Sequence, residues 1–128
     1  MKWLILAATI AFAIASQCTR DKYKEDGSGP WECGTTGFIK WHFQSMQQVF
    51  CPSYRNPINL CCYKHDDCYG NQEGRTKCDK EFRSCMMDAT KGSSICKTFF
   101  GRYIAYMVEQ FGQSAYDASA PQPKDEKN

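Results

Sequence analysis

Apolar positions along this chain recur with the period of helices. From Phe38 to Phe50 they fall at 39, 43, 46 and 50, with Phe38, Trp41 and Val49 beside them, which places them on one helical face. Thr35 or Thr36 is placed to cap that helix, and Cys51-Pro52 stops it. A second helix is expected from about Asn59, a reasonable cap, to Tyr69, with Gly70-Asn71 ending it. A third should run from Lys77 to about Thr90. A fourth should open at Ser93 or Ser94 and pass through Phe99, Tyr103, Tyr106, Met107 and Phe111 to Gly112. The stretches "PSYRNP" and "NQEGRT" read as loops. Residues 17–37, with four glycines around Pro30 and Trp31, read as a tied-down loop. No segment reads as a strand and no repeat is visible, so the expected fold is all-α.

The two ends stand apart from this pattern. Residues 1–16, "MKWLILAATIAFAIAS", combine an early lysine, an apolar run and a small-x-small end, the pattern of a secretory signal peptide and too short a run for a membrane span. The protein is therefore expected to be exported, extracellular and not transmembrane. The domain should occupy residues 17–116, and the polar, proline-containing residues 117–128 should form a disordered tail. A formal net charge of +2 over 128 residues gives no footprint for nucleic acid.

Nine cysteines, at 18, 33, 51, 61, 62, 68, 78, 85 and 96, change the picture. In a small exported chain they read as a disulfide framework. The odd count leaves one over, and Cys18, beside the expected new N-terminus, is the candidate for a free or intermolecular thiol. Cys61, His65 and Cys68 stand at i, i+4 and i+7 and share one helical face. Cys78 and Cys85 share a face of the next helix. In an antiparallel pair, facing residues have a constant index sum. Cys61 with Cys85 and Cys68 with Cys78 both give 146, so two bridges can close in one register within the Cα separations a disulfide allows. His65 then lies between the bridges, with Asp79 within a turn of the position opposite. Cys62 points off this face, toward Cys51 or Cys33. A histidine that merely braces an acid across the seam is the plainer reading. A zinc site from Cys61, Cys62, His65 and Cys68 is a further one, which an oxidising compartment disfavours.

"CCYKHDDCY" (61–69) resembles the histidine–aspartate helix of the secreted phospholipases A2, C-C-x-x-H-D-x-C-[YF], and "CDKEFRSC" (78–85) resembles their following helix. With "WECGTTGF", the "CP" before the pair and "FGQSAY" near the end, the chain looks like a divergent invertebrate branch of that superfamily. The resemblance implies a small disulfide-rich helical domain, bridges Cys61–Cys85 and Cys68–Cys78, and calcium-dependent hydrolysis of the sn-2 ester of phospholipids at a membrane surface or micelle. It implies His65 as general base, Asp79 as the acid that orients it, Tyr69 as a hydrogen-bond partner of Asp79, and Asp66 as a calcium ligand.

One part of the family pattern is absent. The glycine-rich calcium loop close to Y-G-x-x-C-G-x-G-G has no counterpart, and the nearest candidate is "WECGTTG", with Glu32 and Gly34 as expected metal ligands. Either that loop folds back to supply carbonyl oxygens or calcium binding is weak or absent. The alternative to an enzyme is therefore a catalytically silent phospholipase-like protein that binds a partner. For the membrane, Lys24, Trp31, Phe38, Lys40 and Trp41 form a possible interfacial rim. Phe38 is expected instead in the core of its helix, and Trp31 and Trp41 fit either role. His42 reads as a solvated side chain, and Asp67 as surface charge.

Overall fold

The structure is a computed structural model that describes residues 24–121. The expected signal peptide, Cys18 and the end of the tail lie outside the described residues. Helix α1 spans Gly37–Phe50, α2 Arg55–Gly70 and α3 Arg75–Thr90. A short α4 (Ser94–Cys96), a π-helical turn (Lys97–Gly101) and α5 (Arg102–Phe111) follow one another without a break, and α6 (Gln113–Ala118) closes the order. No strand occurs among the described residues, in accord with the all-α, disulfide-rich expectation. No described helix is long and apolar enough to cross a membrane.

The helix starts carry most of the differences from the expectation. Thr36 caps α1, its side chain accepting from the Ile39 N–H at 3.3 Å. Helix α2 begins four residues earlier than Asn59, because Pro57 falls within its first turn, where no intrahelical N–H is needed. Asn59 is consequently not a cap but a fully buried residue inside the helix. Helix α3 starts at Arg75, behind Gly74 at φ +112°. The expected single fourth helix is interrupted by the π turn, where Gly101 lies so close to α3 that an added Cβ would come within 2.8 Å of Thr90 Oγ1. Helix α6 runs to Ala118, two residues into the stretch expected as a tail.

Among the described residues, four disulfides tie these elements together: Cys33–Cys62, Cys51–Cys96, Cys61–Cys85 and Cys68–Cys78. The last two join α2 to α3 at equal Cα separations of 5.7 Å, as the shared index sum requires. Cys62 pairs with Cys33, one of its two expected partners. All three cysteines of the zinc alternative are thereby taken up, which overturns it. The core lies between the α2–α3 pair and α5, built on Ile58, Phe82, Met86, Phe100 and Ile104, each no more than 3% exposed. Burial of such side chains, at roughly 1.5–3 kcal/mol each, together with the bridges, lets a small domain hold a rigid platform.

Candidate active site

The seam between α2 and α3 carries the polar centre. His65 Nε2 lies 2.8 Å from Asp79 Oδ1, and the Tyr69 hydroxyl donates to the same oxygen at 2.6 Å. All three residues are buried. Phe82 and Tyr69 hold the imidazole on two sides, with ring centroids 4.7 and 4.1 Å away. Burial pushes the His65 pKa below the ordinary imidazole value, and the hydrogen bond and charge of Asp79 oppose that shift. The ring is thus favoured in its neutral form, the state a base requires. The Tyr69 phenol is pushed well up, by burial first and by Asp79 second, so it stays a donor. Asp79 Oδ2 faces Arg75, whose Nε is 3.4 Å away.

His65 and Asp66 open onto a cavity of about 780 Å³. Its walls are mostly apolar, with Ile39, Phe82, Tyr103, Met107, Val108 and Phe111 among them, and Glu32, Gly34 and Thr35 at one end. The loop in question therefore does fold back beside Asp66. Four side chains of α2 hold it there. Cys33 is bridged to Cys62 on α2. Asn59 accepts from the Glu32 N–H at 2.9 Å and donates through Nδ2 to the carbonyls of Gly27, Gly29 and Pro30 at 3.0, 3.2 and 3.0 Å. The Tyr63 hydroxyl donates to the Pro30 carbonyl at 3.0 Å, and Arg55 reaches the carbonyls of Gly27 and Gly29.

Gly34 is the residue that lets the loop close. Its φ is +123°, and a Cβ there would lie 2.7 Å from the Lys40 backbone nitrogen, so both conformation and space exclude a side chain. Glu32 is thus brought to Asp66. Asp66 keeps an exposed edge at the cavity mouth, yet desolvation of its inner side first, and then the charge and hydrogen bond of Glu32, push it up to about 7, with Lys40 opposing. Lys40 Nζ sits 3.8 Å from Glu32 Oε2. Among the described residues no group of three or more histidine, cysteine or acidic side chains stands together, so Asp66 and Glu32 are the pair of carboxylates on offer.

An all-helical, disulfide-rich domain whose buried histidine and aspartate meet across the bridged seam has similar proteins among known ones. The chain is 40% identical over 91 residues to the phospholipase A2-like protein Y52B11A.8 of Caenorhabditis elegans, across 71% of this chain and 52% of that protein. The disulfide-rich, all-helical fold fits a phospholipase A2-like superfamily. The chain spans about half the length of that relative. Basic phospholipase A2 beta-bungarotoxin A2 chain of Bungarus caeruleus is 44% identical over 39 residues, 30% of this chain and 26% of the toxin chain. The A5 chain of Bungarus multicinctus is 41% identical over a stretch of the same length. No family model and no solved structure matches the chain.

Within this phospholipase A2-like frame, the surface differs from the expectation in three places. Phe38 is 74% exposed and not a core residue, because it lies in the first turn of α1, at the cavity rim, in contact with the likewise exposed Trp41. Trp31 is buried, its Nε1 donating to the Cys33 carbonyl, and so belongs to the loop's own packing instead of a rim. His42 is half-buried against Phe43 and Tyr103 and is not simply solvated. Lys24 and Asp67 are exposed. Sequence reasoning missed Asn59 as the loop's clamp and Arg75 as a partner of Asp79. The i, i+4 spacing of Arg75 and Asp79 was the available signal for the second.

Proposed function

We propose that this chain is a calcium-dependent phospholipase A2 that hydrolyses the sn-2 ester of phospholipids presented by a membrane surface or micelle. The observation that carries the proposal is the 2.8 Å contact of His65 Nε2 with Asp79 Oδ1 in the wall of an apolar cavity. With Nε2 engaged by the carboxylate, Nδ1 is the nitrogen left to take a proton from an attacking water. Asp79 fixes the tautomer and supports the imidazolium as it forms, and Tyr69 holds the same carboxylate oxygen in place. The apolar walls suit an acyl chain and exclude bulk water from the ester.

The donor set fits a hard cation. Asp66 and Glu32 come together as carboxylate oxygens, the raised Asp66 pKa marks a carboxylate that a cation would relieve, and Gly34 lets the loop close against the start of α1. Calcium bound there would supply Lewis-acid stabilisation of the ester oxyanion. Export of the protein follows from residues 1–16 and the disulfides in this reading.

The Lys40–Glu32 ion pair favours a second reading. It places an ammonium where the cation would be needed, as suits a silent phospholipase-like protein that binds a partner. The experiment that separates the two is product analysis from phosphatidylcholine vesicles with calcium and with chelator. Calcium-dependent appearance of lysophospholipid and of the sn-2 fatty acid supports the enzyme. Absence of both, with no calcium binding by calorimetry, leaves the binding protein.

A further inference from the structure

A buried carboxylate needs every oxygen accounted for. Asp79 is 7% exposed at its side chain, and its Oδ1 already accepts from His65 and Tyr69. Its Oδ2 is met by Arg75, four residues earlier on α3, with Nε at 3.4 Å. The Nε–H is not aligned to make a hydrogen bond, although that atom is buried; the contact is one of charge. The rest of the guanidinium is fastened elsewhere. One terminal nitrogen donates to the Glu109 carbonyl of α5 at 2.6 Å, and the other to Gln113 Oε1 of α6 at 3.2 Å. A cation tied to two other helices is thus held against the acid that orients His65.

We propose that Arg75 is a positioning residue for the His65–Asp79 pair. Anchored on the Glu109 carbonyl, its guanidinium fixes the rotation of the Asp79 carboxylate, so that Oδ1 is turned to His65 and Tyr69 while Oδ2 faces the cation. The rival role is a strut that only joins α3 to α5 and α6. A strut would act through all of its anchors alike, including Gln113, which does not touch Asp79. The functional part of this inference rests on the hydrolase reading above; the geometric part does not.

The test uses the full chain with disulfides intact and the variants Arg75→Gln, Arg75→Lys and Gln113→Ala. The first readout is the low-field proton resonance of His65 Nε2–H in protein labelled with nitrogen-15 histidine. The second is kcat and KM on a short-chain phospholipid. Arg75→Gln is expected to weaken or abolish the resonance and to lower kcat by roughly tenfold with KM little changed, as for one lost charge-assisted contact. Arg75→Lys, which keeps a cation four residues before Asp79, restores most of both signals. Gln113→Ala changes neither. The inference is overturned if Arg75→Gln keeps the resonance, if Arg75→Lys does no better than Arg75→Gln, or if Gln113→Ala reproduces the loss. If the wild type hydrolyses nothing, the resonance decides alone, so failure of the enzyme reading is distinguishable from failure of this one.

Discussion

Replacing Asn59 by alanine removes the side chain that holds the 27–32 loop against α2. Asn59 is fully buried. Its two amide protons serve the carbonyls of Gly27, Gly29 and Pro30, and its oxygen takes the Glu32 N–H. The three donated contacts share two protons, so the side chain supplies three hydrogen bonds' worth of stabilisation. At about 1 kcal/mol net per bond the loss is about 3 kcal/mol, and the stranded Glu32 N–H adds to it. Because Cys33–Cys62 still tethers the loop, the effect should be a loosened loop in a folded protein. Equilibrium denaturation with disulfides intact measures the loss, and calorimetry should find calcium affinity reduced along with it. Asn59→Asp sharpens the test. It keeps the shape and the acceptor but turns a carboxylate toward three carbonyls, and should cost at least as much as alanine. A loss below about 1 kcal/mol for alanine, or an aspartate variant as stable as wild type, would refute the clamp.

Asp66 supplies a pH prediction. Its folded pKa is raised to about 7 from 3.8, so the fold favours the protonated form, and the charged form is a liability that grows as pH rises through that interval. In chelator, Asp66→Asn should therefore melt higher than wild type at about pH 8, and the gap should close toward about pH 4. Comparing the two proteins cancels His65, whose lowered pKa costs stability as pH falls below 6.5 in both. Equal melting curves at all pH values would count against the raised Asp66 pKa. Tyr69→Phe removes the hydroxyl that donates to Asp79 at 2.6 Å. It should lower stability by about 2 kcal/mol, as for a bond to a charged acceptor, and reduce kcat without abolishing it; unchanged denaturation and kinetics would remove Tyr69 from the site.

The bridged hairpin was legible because it rests on arithmetic. Cys61, Cys68, Cys78 and Cys85 satisfy one register, and that register places His65 and Asp79 across from each other whatever else the chain does. The loop was not legible in the same way. Nothing in "WECGTTG" announces that it packs against α2, since the determinants lie 26 to 33 residues later, in Arg55, Asn59, Cys62 and Tyr63. Asn59 illustrates the conflict most directly. Local capping preference suggests a helix start, yet tertiary hydrogen bonds set its role, and Pro57 marks the first turn instead. Phe38 shows the converse. The helical period groups it with the core, but its place in the first turn of α1 leaves it at the cavity mouth. Within the π turn at Lys97–Gly101, Gly101 packs closely on Thr90, a contact that no local pattern encodes.

The most direct test of the central claim is fatty-acid release from phospholipid vesicles in calcium by wild type and His65→Gln, each with near-ultraviolet circular dichroism to confirm the same fold. The imidazole is the group assigned the proton transfer, and positioned general bases contribute roughly 10²–10⁴-fold. Calcium-dependent release by the wild type, reduced at least about a hundredfold in the variant, is the predicted result. No release by the wild type, or equal release by the two proteins, would contradict the account.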